Sequence, residues 1–142
     1  MTENKKALSR GLRNNNPGNI MLSETRYRGE TDSGDSAFKR FESMPLGYRA
    51  MFVLLYTYQK RYGLNTIEGM IVRYAPPFEN NTVGYAGFVV RRSGIGLNEP
   101  IDTLCREQMV AVVSAMSRVE NGVDAVAADV EEGWDLFEKY RP

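Results

Sequence analysis

The chain has 142 residues, of which 42% are apolar and 25% charged, a balance typical of globular proteins rather than disordered or fibrous ones. Its 18 basic and 18 acidic residues cancel, so the net charge offers no support for nucleic-acid binding or for a charged membrane partner, and we expect neither nucleic-acid binding nor membrane insertion. The chain has no histidine and one cysteine. This excludes the usual Ser/Cys–His catalysis and an intramolecular disulfide and removes the commonest metal ligand, so we expect no metal and no cofactor.

The length and the absence of internal repeats predict one domain over residues 1–142, with residues 1–10 as a flexible N-terminal tail. The N-terminus carries charges without the apolar stretch of a signal peptide, and no later apolar run approaches the roughly 20 residues that span a bilayer. We therefore expect synthesis in the cytoplasm. Any action beyond the membrane would then require delivery by another component.

The first half of the chain begins with a loop and continues into a helix. Residues 13–19 are rich in asparagine, proline and glycine, which favour turns, and residues 21–40 lack sustained periodicity and predict a loop or short hairpin. Ser43 has the character of a helix cap, apolar residues then recur at helical spacing, and Gly63 ends the pattern. The sequence predicts a helix over 44–62.

Two shorter helices are predicted next. Thr66 is a candidate cap for an amphipathic helix that reaches Tyr74 and is stopped by the prolines at 76 and 77. Residues 80–82 can cap a third helix that extends through Val90.

Two further helices complete the predicted fold. Asp102 is expected to cap a strong helix that ends at Asn121 and Gly122. This helix should direct Leu104, Met109, Val112, Val113 and Met116 toward the core, and a final helix should bury Val130, Trp134 and Phe137. The expected fold class is mainly α, or α+β with at most a small hairpin.

The residue inventory favours a carboxylate as catalyst. The sequence has no phosphate-binding glycine loop and no cysteine cluster, and glycoside cleavage needs a carboxylic acid that stays protonated near neutral pH. Glu120 is the preferred candidate because it lies in the last turn of an apolar helix, where the negative end of the helix dipole disfavours ionisation. The alternative is an ordinary solvated glutamate at a helix end.

Other residues compete for functional roles. Glu79 and Glu42 are the other candidate acids, but the positive N-terminus of the helix at 44–62 would lower the pKa of Glu42. The aromatic side chains that could stack on sugar faces, or equally belong to the core, are Tyr27, Tyr74, Tyr85 and Phe78. The basic pairs at 39–40 and 91–92 admit a DNA-processing role, although such pairs are normally solvated surface.

Six sequence blocks occur in the order of a known family. They are Arg10-Gly-Leu-Arg-Asn-Asn-Asn-Pro-Gly-Asn-Ile20, Phe38-Lys-Arg-Phe-Glu-Ser43, Gly47-Tyr-Arg-Ala50, Leu64-Asn-Thr-Ile67, Arg73-Tyr-Ala-Pro-Pro-Phe-Glu-Asn80 and Val119-Glu-Asn-Gly122. The chain resembles a phage and prophage family whose members are described as virion proteins and sometimes as peptidoglycan hydrolases. The blocks also resemble a lysozyme-like domain of the glucosaminidase and lytic transglycosylase type, in which the glutamate-bearing helix comes first, so the resemblance implies circular permutation.

The resemblance implies a peptidoglycan-cleaving glycosidase or lytic transglycosylase that acts at the cell wall or in the virion, with Glu120 as general acid/base. No second carboxylate at a recognisable offset distinguishes muramidase, glucosaminidase and transglycosylase. The alternative is a non-catalytic virion structural or glycan-binding protein with the same fold. The expected substrate-binding residues are Asn15, Asn16, Asn19, Tyr27, Tyr74, Glu79, Asn80 and Tyr85. Expected partners are glycan strands and other virion components.

The permuted order also makes a geometric prediction. Because the glutamate-bearing turn and the Gly-Ile segment are neighbours in the unpermuted relatives, we expect the N-terminal asparagine loop to be ordered. It should lie against the end of the Glu120 helix.

Overall fold

The structure is a computed structural model that describes residues 8–142. Most of the predicted N-terminal tail, residues 1–7, lies outside the described residues. Its last position differs from the prediction, because residue 10 begins a short helix, α1 (Arg10–Arg13). The side chain of Ser9 accepts a hydrogen bond from the backbone N–H of Leu12 and so caps this helix.

Residues 8–142 form six helices and one two-stranded antiparallel sheet, which confirms the mainly α fold with a small hairpin. After α1 come β1 (Glu30–Thr31), β2 (Arg40–Phe41), α2 (Met44–Tyr62), α3 (Ile67–Tyr74), α4 (Thr82–Ser93), α5 (Arg106–Asn121) and α6 (Ala127–Lys139). None of the helices in this part of the chain combines the length and apolar character needed to cross a bilayer.

Local capping signals set the ends of α2, α3 and α4. Ser43 accepts a hydrogen bond from the N–H of Leu46, and Gly63 ends α2 in the left-handed conformation at φ 68°. Thr66 caps α3 and Asn81 caps α4 in the same way as Ser43 caps α2. The predicted limits of α2 are confirmed, and the predicted second and third helices are present.

The start of α5 differs from the prediction. Asp102 does not cap the helix, because its Oδ1 accepts a hydrogen bond from the N–H of Leu104 and closes a local turn, and α5 begins only at Arg106. Leu104 therefore stays outside the helix and is 42% exposed instead of entering the core. The other predicted core residues of α5 are buried, and Gly122 ends the helix as predicted.

The core centres on the packing of α6 against α2. Val130, Trp134 and Phe137 are all fully buried, as predicted, and the Trp134 ring meets the Phe52 ring edge-on at 5.0 Å between centroids. Gly133 lets the two helices approach closely, because a Cβ there would lie 2.7 Å from the Cβ of Tyr48. The buried apolar residues of α2–α6 form one continuous cluster.

The small sheet places a charged residue inside the protein. β1 and β2 pair Glu30 with Phe41 and Thr31 with Arg40. Lys39, expected in a solvated basic pair, is fully buried: its Nζ lies 3.0 Å from the Glu30 carboxylate and donates to the Thr25 carbonyl at 2.7 Å. The burial is tolerated because both charge and hydrogen-bonding capacity are matched.

The close approach of α2 and α6 can be tested with Gly133→Ala. The added methyl would press on Tyr48 and on the carbonyl of Pro45, so we expect the free energy of unfolding to fall by about 1–3 kcal/mol in urea denaturation. The matched control is Gly34→Ala, where no atom lies within 4 Å of the added Cβ and the change should stay within about 0.5 kcal/mol. Equal stabilities of the two variants would contradict this packing.

Candidate functional site

The N-terminal asparagine loop lies against the C-terminal end of α5, which confirms the predicted placement. The side chain of Asn121 donates to the carbonyl of Pro17 at 2.8 Å and accepts from the hydroxyl of Ser9 at 2.6 Å. The Nδ2 of Asn19 donates to Oε1 of Glu120 at 2.9 Å. Two consecutive residues of α5 are thus bonded to a segment about a hundred residues earlier in the chain.

Two of the loop asparagines maintain its conformation. Asn16 is fully buried; its Nδ2 donates to the carbonyls of Ile20 and Lys39, and its Oδ1 accepts from the N–H of Ile20. Asn15 has a left-handed φ of 51° and donates from Nδ2 to the carbonyl of Phe41. Neither Asn15 nor Asn16 lines a cleft beside Glu120, because both amides are used to fold the loop.

The backbone of the loop also packs closely on the helices below it. A Cβ at Gly18 would overlap the hydroxyl of Tyr74 and lie 2.9 Å from the side chain of Met51. The same Tyr74 hydroxyl donates a hydrogen bond to the carbonyl of Gly18. Asn19 then adopts a left-handed φ of 50°, a region that asparagine tolerates better than most residues. This bend places its amide on Glu120.

The Glu120 carboxyl is half-buried and held from two sides. Asn19 donates to Oε1, and the Tyr85 hydroxyl donates to Oε2 at 2.9 Å. Burial raises the pKa of Glu120 above its ordinary value, and the two hydrogen bonds oppose this rise without cancelling it. Glu120 is therefore not a freely solvated glutamate at a helix end.

The phenols of Tyr74 and Tyr85 are neutral. Burial raises the pKa of Tyr74 and of Tyr85 well above the ordinary value near 10, and the charge of Glu120 raises both further. Both phenols therefore keep their protons at neutral pH. Tyr85 remains a fixed, uncharged donor to Glu120.

Two clefts meet at Glu120. The first, the loop-side cleft, has a volume of about 620 Å³, and the second, the helix-side cleft, about 560 Å³. Glu120 and Asn80 line both, and the Glu120 carboxyl is bonded to Asn19 of the first cleft and Tyr85 of the second, so it lies between the two. The loop-side cleft is also lined by Asn19, Tyr27, Tyr74 and Glu79, and the helix-side cleft by Tyr85, Phe88, Arg91 and Arg118.

The structure brings most of the predicted site residues together. Asn19, Tyr27, Tyr74, Glu79, Asn80, Tyr85 and Glu120 all line one or both clefts. Of the competing acids, Glu79 is exposed at the loop-side cleft, and Glu42 is exposed and lines neither cleft. Within residues 8–142, no three Cys, Asp or Glu side chains are grouped so that they could hold a metal ion.

Sequence reasoning missed two of the cations that border these clefts. Arg73 lines the loop-side cleft beside Tyr74, and Arg118 lines the helix-side cleft two residues before Glu120. The sequence did offer a signal for both, because Arg73 directly precedes the predicted site residue Tyr74 and Arg118 lies close to Glu120.

The chain matches no protein-family model. It is similar to Protein P5 of Pseudoalteromonas phage PM2, with 39% identity over 132 residues that span 89% of this chain and 81% of that protein.

The raised pKa of Glu120 predicts how stability depends on pH. The folded state holds this proton more tightly than the unfolded state, whose glutamate has the ordinary value near 4.5, so the Glu120 contribution to stability falls as pH rises above that value. Glu120→Gln removes this dependence. The parent should therefore lose stability relative to the variant between pH 4 and pH 7. In urea titrations, the free energy of unfolding of the variant minus that of the parent should increase over this range. At any pH this difference should not exceed about 1 kcal/mol.

The matched control is Glu107→Gln, an exposed carboxylate in the first turn of the same helix. It measures the effect of removing an exposed carboxylate from this helix, against which the Glu120→Gln result is compared. A Glu120→Gln difference that is constant over this range would contradict a raised pKa.

Proposed function

This chain belongs to the family of Protein P5 of Pseudoalteromonas phage PM2, and we propose that it is a phage protein that cleaves the glycan strand of peptidoglycan with Glu120 as general acid/base. One observation carries the proposal: a half-buried carboxyl with a raised pKa lies at the junction of two clefts. A glycan strand is long, so its cleavage requires binding space on both sides of the acid.

The surroundings of Glu120 suit proton donation to a glycosidic oxygen. The acid must hold its proton until the leaving oxygen arrives, which burial promotes by disfavouring the charged form. When the proton has been transferred, the resulting carboxylate is stabilised by the hydrogen bonds from Asn19 and Tyr85. Tyr85 is a neutral donor, so it stabilises the carboxylate by a hydrogen bond without the strong attraction of a cation, which would keep Glu120 ionised.

The lining of the clefts suits a sugar polymer. Asn19 and Asn80 offer amide donors and acceptors to hydroxyl and acetamido groups, and Tyr27, Tyr74 and Tyr85 offer aromatic faces or hydroxyls. Glu79 is a further carboxyl at the loop-side cleft. We assign these residues to substrate binding and leave Asn15 and Asn16 out, because their amides are engaged within the loop.

The proposal includes a circularly permuted lysozyme-like domain. It is supported by the contact of the asparagine loop with the end of α5, which joins two segments that are neighbours in the unpermuted order. The continuous core of α2–α6 supports a single domain. In this account the protein acts at the cell wall or in the virion after delivery by another component.

The second candidate is a non-catalytic virion protein that binds glycan strands. It is favoured by exposed apolar side chains that neighbour cleft-lining residues in the chain: Phe78, before Glu79, is 82% exposed, and Val83, before Gly84, is 86% exposed. Such residues suit contact with another virion component. Both candidates bind glycan, so only cleavage distinguishes them.

The catalytic proposal predicts that Glu120→Gln loses cleavage while it keeps binding. The amide cannot donate a proton as the acid does, so the release of soluble fragments from purified peptidoglycan should fall by about 10²–10⁴-fold. Co-sedimentation of the variant with intact peptidoglycan should stay within about twofold of the parent, since the shape of the side chain is preserved.

The control Glu107→Gln should cleave at the parent rate, because this residue lies at the opposite end of α5. A Glu120→Gln variant that is as active as the parent would remove Glu120 as the acid and make Glu79 the next residue to substitute. A parent protein that binds peptidoglycan and releases nothing would favour the non-catalytic candidate.

A further inference from the structure

A larger groove adjoins the loop-side cleft. It has a volume of about 1050 Å³ and is formed by the segment after the asparagine loop, by α2 and by the end of the chain after α6. Its wall shares Tyr27, Tyr58 and Arg73, among others, with the loop-side cleft. The groove and the loop-side cleft are therefore neighbours on the protein surface.

The groove concentrates positive charge on a chain whose net charge is zero. Seven of the 18 lysines and arginines line it, and no aspartate or glutamate side chain within residues 8–142 does. Arg26 and Arg141 are near carboxylates outside the groove. Five form no ion pair with the described residues: Arg28, Arg49, Arg61, Arg73 and Lys139.

Arg49 is the residue that points to a ligand. It is only 6% exposed, its Nη2 donates to the carbonyl of Tyr140 at 2.5 Å, and its Nε has no partner among the described residues. Burial lowers the pKa of Arg49, and the nearby charge of Arg28 lowers it further. A buried guanidinium without a carboxylate is unfavourable, so an anion in the groove would compensate it.

Tyrosine rings contact two other guanidiniums in the groove. The Arg28 guanidinium lies 3.7 Å from the ring centroid of Tyr140, and that of Arg73 lies 3.7 Å from the ring centroid of Tyr62. Stacking of this kind orients the planar group and leaves its N–H edge available. The groove thus presents arginines prepared for the bidentate recognition of small oxyanions.

We propose that this groove binds the carboxylate-bearing peptide stems that branch from the glycan strand held at Glu120, an inference that rests on the proposed function. The sugars of the strand are joined to short peptides with free carboxylates, so sugar and anion belong to one molecule. The wall residues that the groove shares with the loop-side cleft place the two sites side by side, as that arrangement requires. A duplex nucleic acid fits less well, because Arg49 is accessible only to a group that enters the groove.

The test measures binding directly and does not depend on cleavage. The probe is a soluble stem tetrapeptide with free carboxylates, titrated by calorimetry into the full chain carrying Glu120→Gln. Binding should weaken with added salt. The double substitution Arg28→Gln/Arg61→Gln affects exposed side chains and should leave folding intact, and it should weaken peptide binding by about tenfold or more.

Two controls make the result specific. Arg40→Gln removes an exposed arginine that does not line the groove and should change peptide affinity by less than about twofold. An uncharged N-acetylglucosamine tetramer has no anion for the groove. It should therefore bind the Glu120→Gln protein equally well with and without the double substitution.

Three outcomes would overturn the assignment: a tetrapeptide that does not bind, equal peptide affinity for the parent and the double variant, or a 20-base-pair DNA duplex that binds more tightly than the peptide and is lost in the double variant. Failure of the catalytic proposal would be seen separately. In that case Glu120→Gln would cleave peptidoglycan at the parent rate, whatever the peptide titration gives.

Discussion

The hydrogen bond from Asn19 to Glu120 is the contact on which the candidate site depends. It joins the beginning of the described chain to the end of α5 and, with the bond from Asn121 to the carbonyl of Pro17, fixes the loop on the helix. The loop can reach this position only because Gly18 has no side chain to meet Tyr74 and because Asn19 accepts a left-handed φ. The loop-side cleft is the space that this docked loop leaves open.

The electrostatic character of the surface differs between the surroundings of Glu120 and the neighbouring groove. Around Glu120 the groups in direct contact are a neutral amide and a phenol, so burial dominates the pKa of the carboxyl and raises it. In the neighbouring groove, which shares Tyr27 and Tyr58 with the loop-side cleft, six arginines line the wall, and Arg49 is buried without a carboxylate partner among residues 8–142. One end thus favours a neutral acid, and the other favours a bound anion. A polymer that carries both sugars and carboxylates is the ligand that matches both ends.

Features determined by nearby residues were predictable from the sequence. The limits of α2 follow from Ser43 and Gly63, and the buried face of α6 follows from the spacing of Val130, Trp134 and Phe137. The prediction failed where local signals compete: Asp102 has the character of a helix cap but closes a turn of its own. It also failed where partners are distant in sequence, because the burial of Lys39 depends on Glu30 and Thr25, and the use of Asn16 within the loop depends on the carbonyl of Lys39.

The central claim is that Glu120 is an acid that keeps its proton to a higher pH than an ordinary glutamate because its carboxyl is half-buried, although the hydrogen bonds from Asn19 and Tyr85 oppose this effect. The most direct measurement is an NMR titration of the side-chain carboxyl carbons in ¹³C-labelled protein, with the Glu120 resonance assigned by its absence in Glu120→Gln. This account predicts a Glu120 midpoint above the ordinary value near 4.5, moving higher still when Tyr85→Phe removes one of the two hydrogen bonds that favour the charged form. A Glu120 midpoint at or below 4.5 would contradict the account.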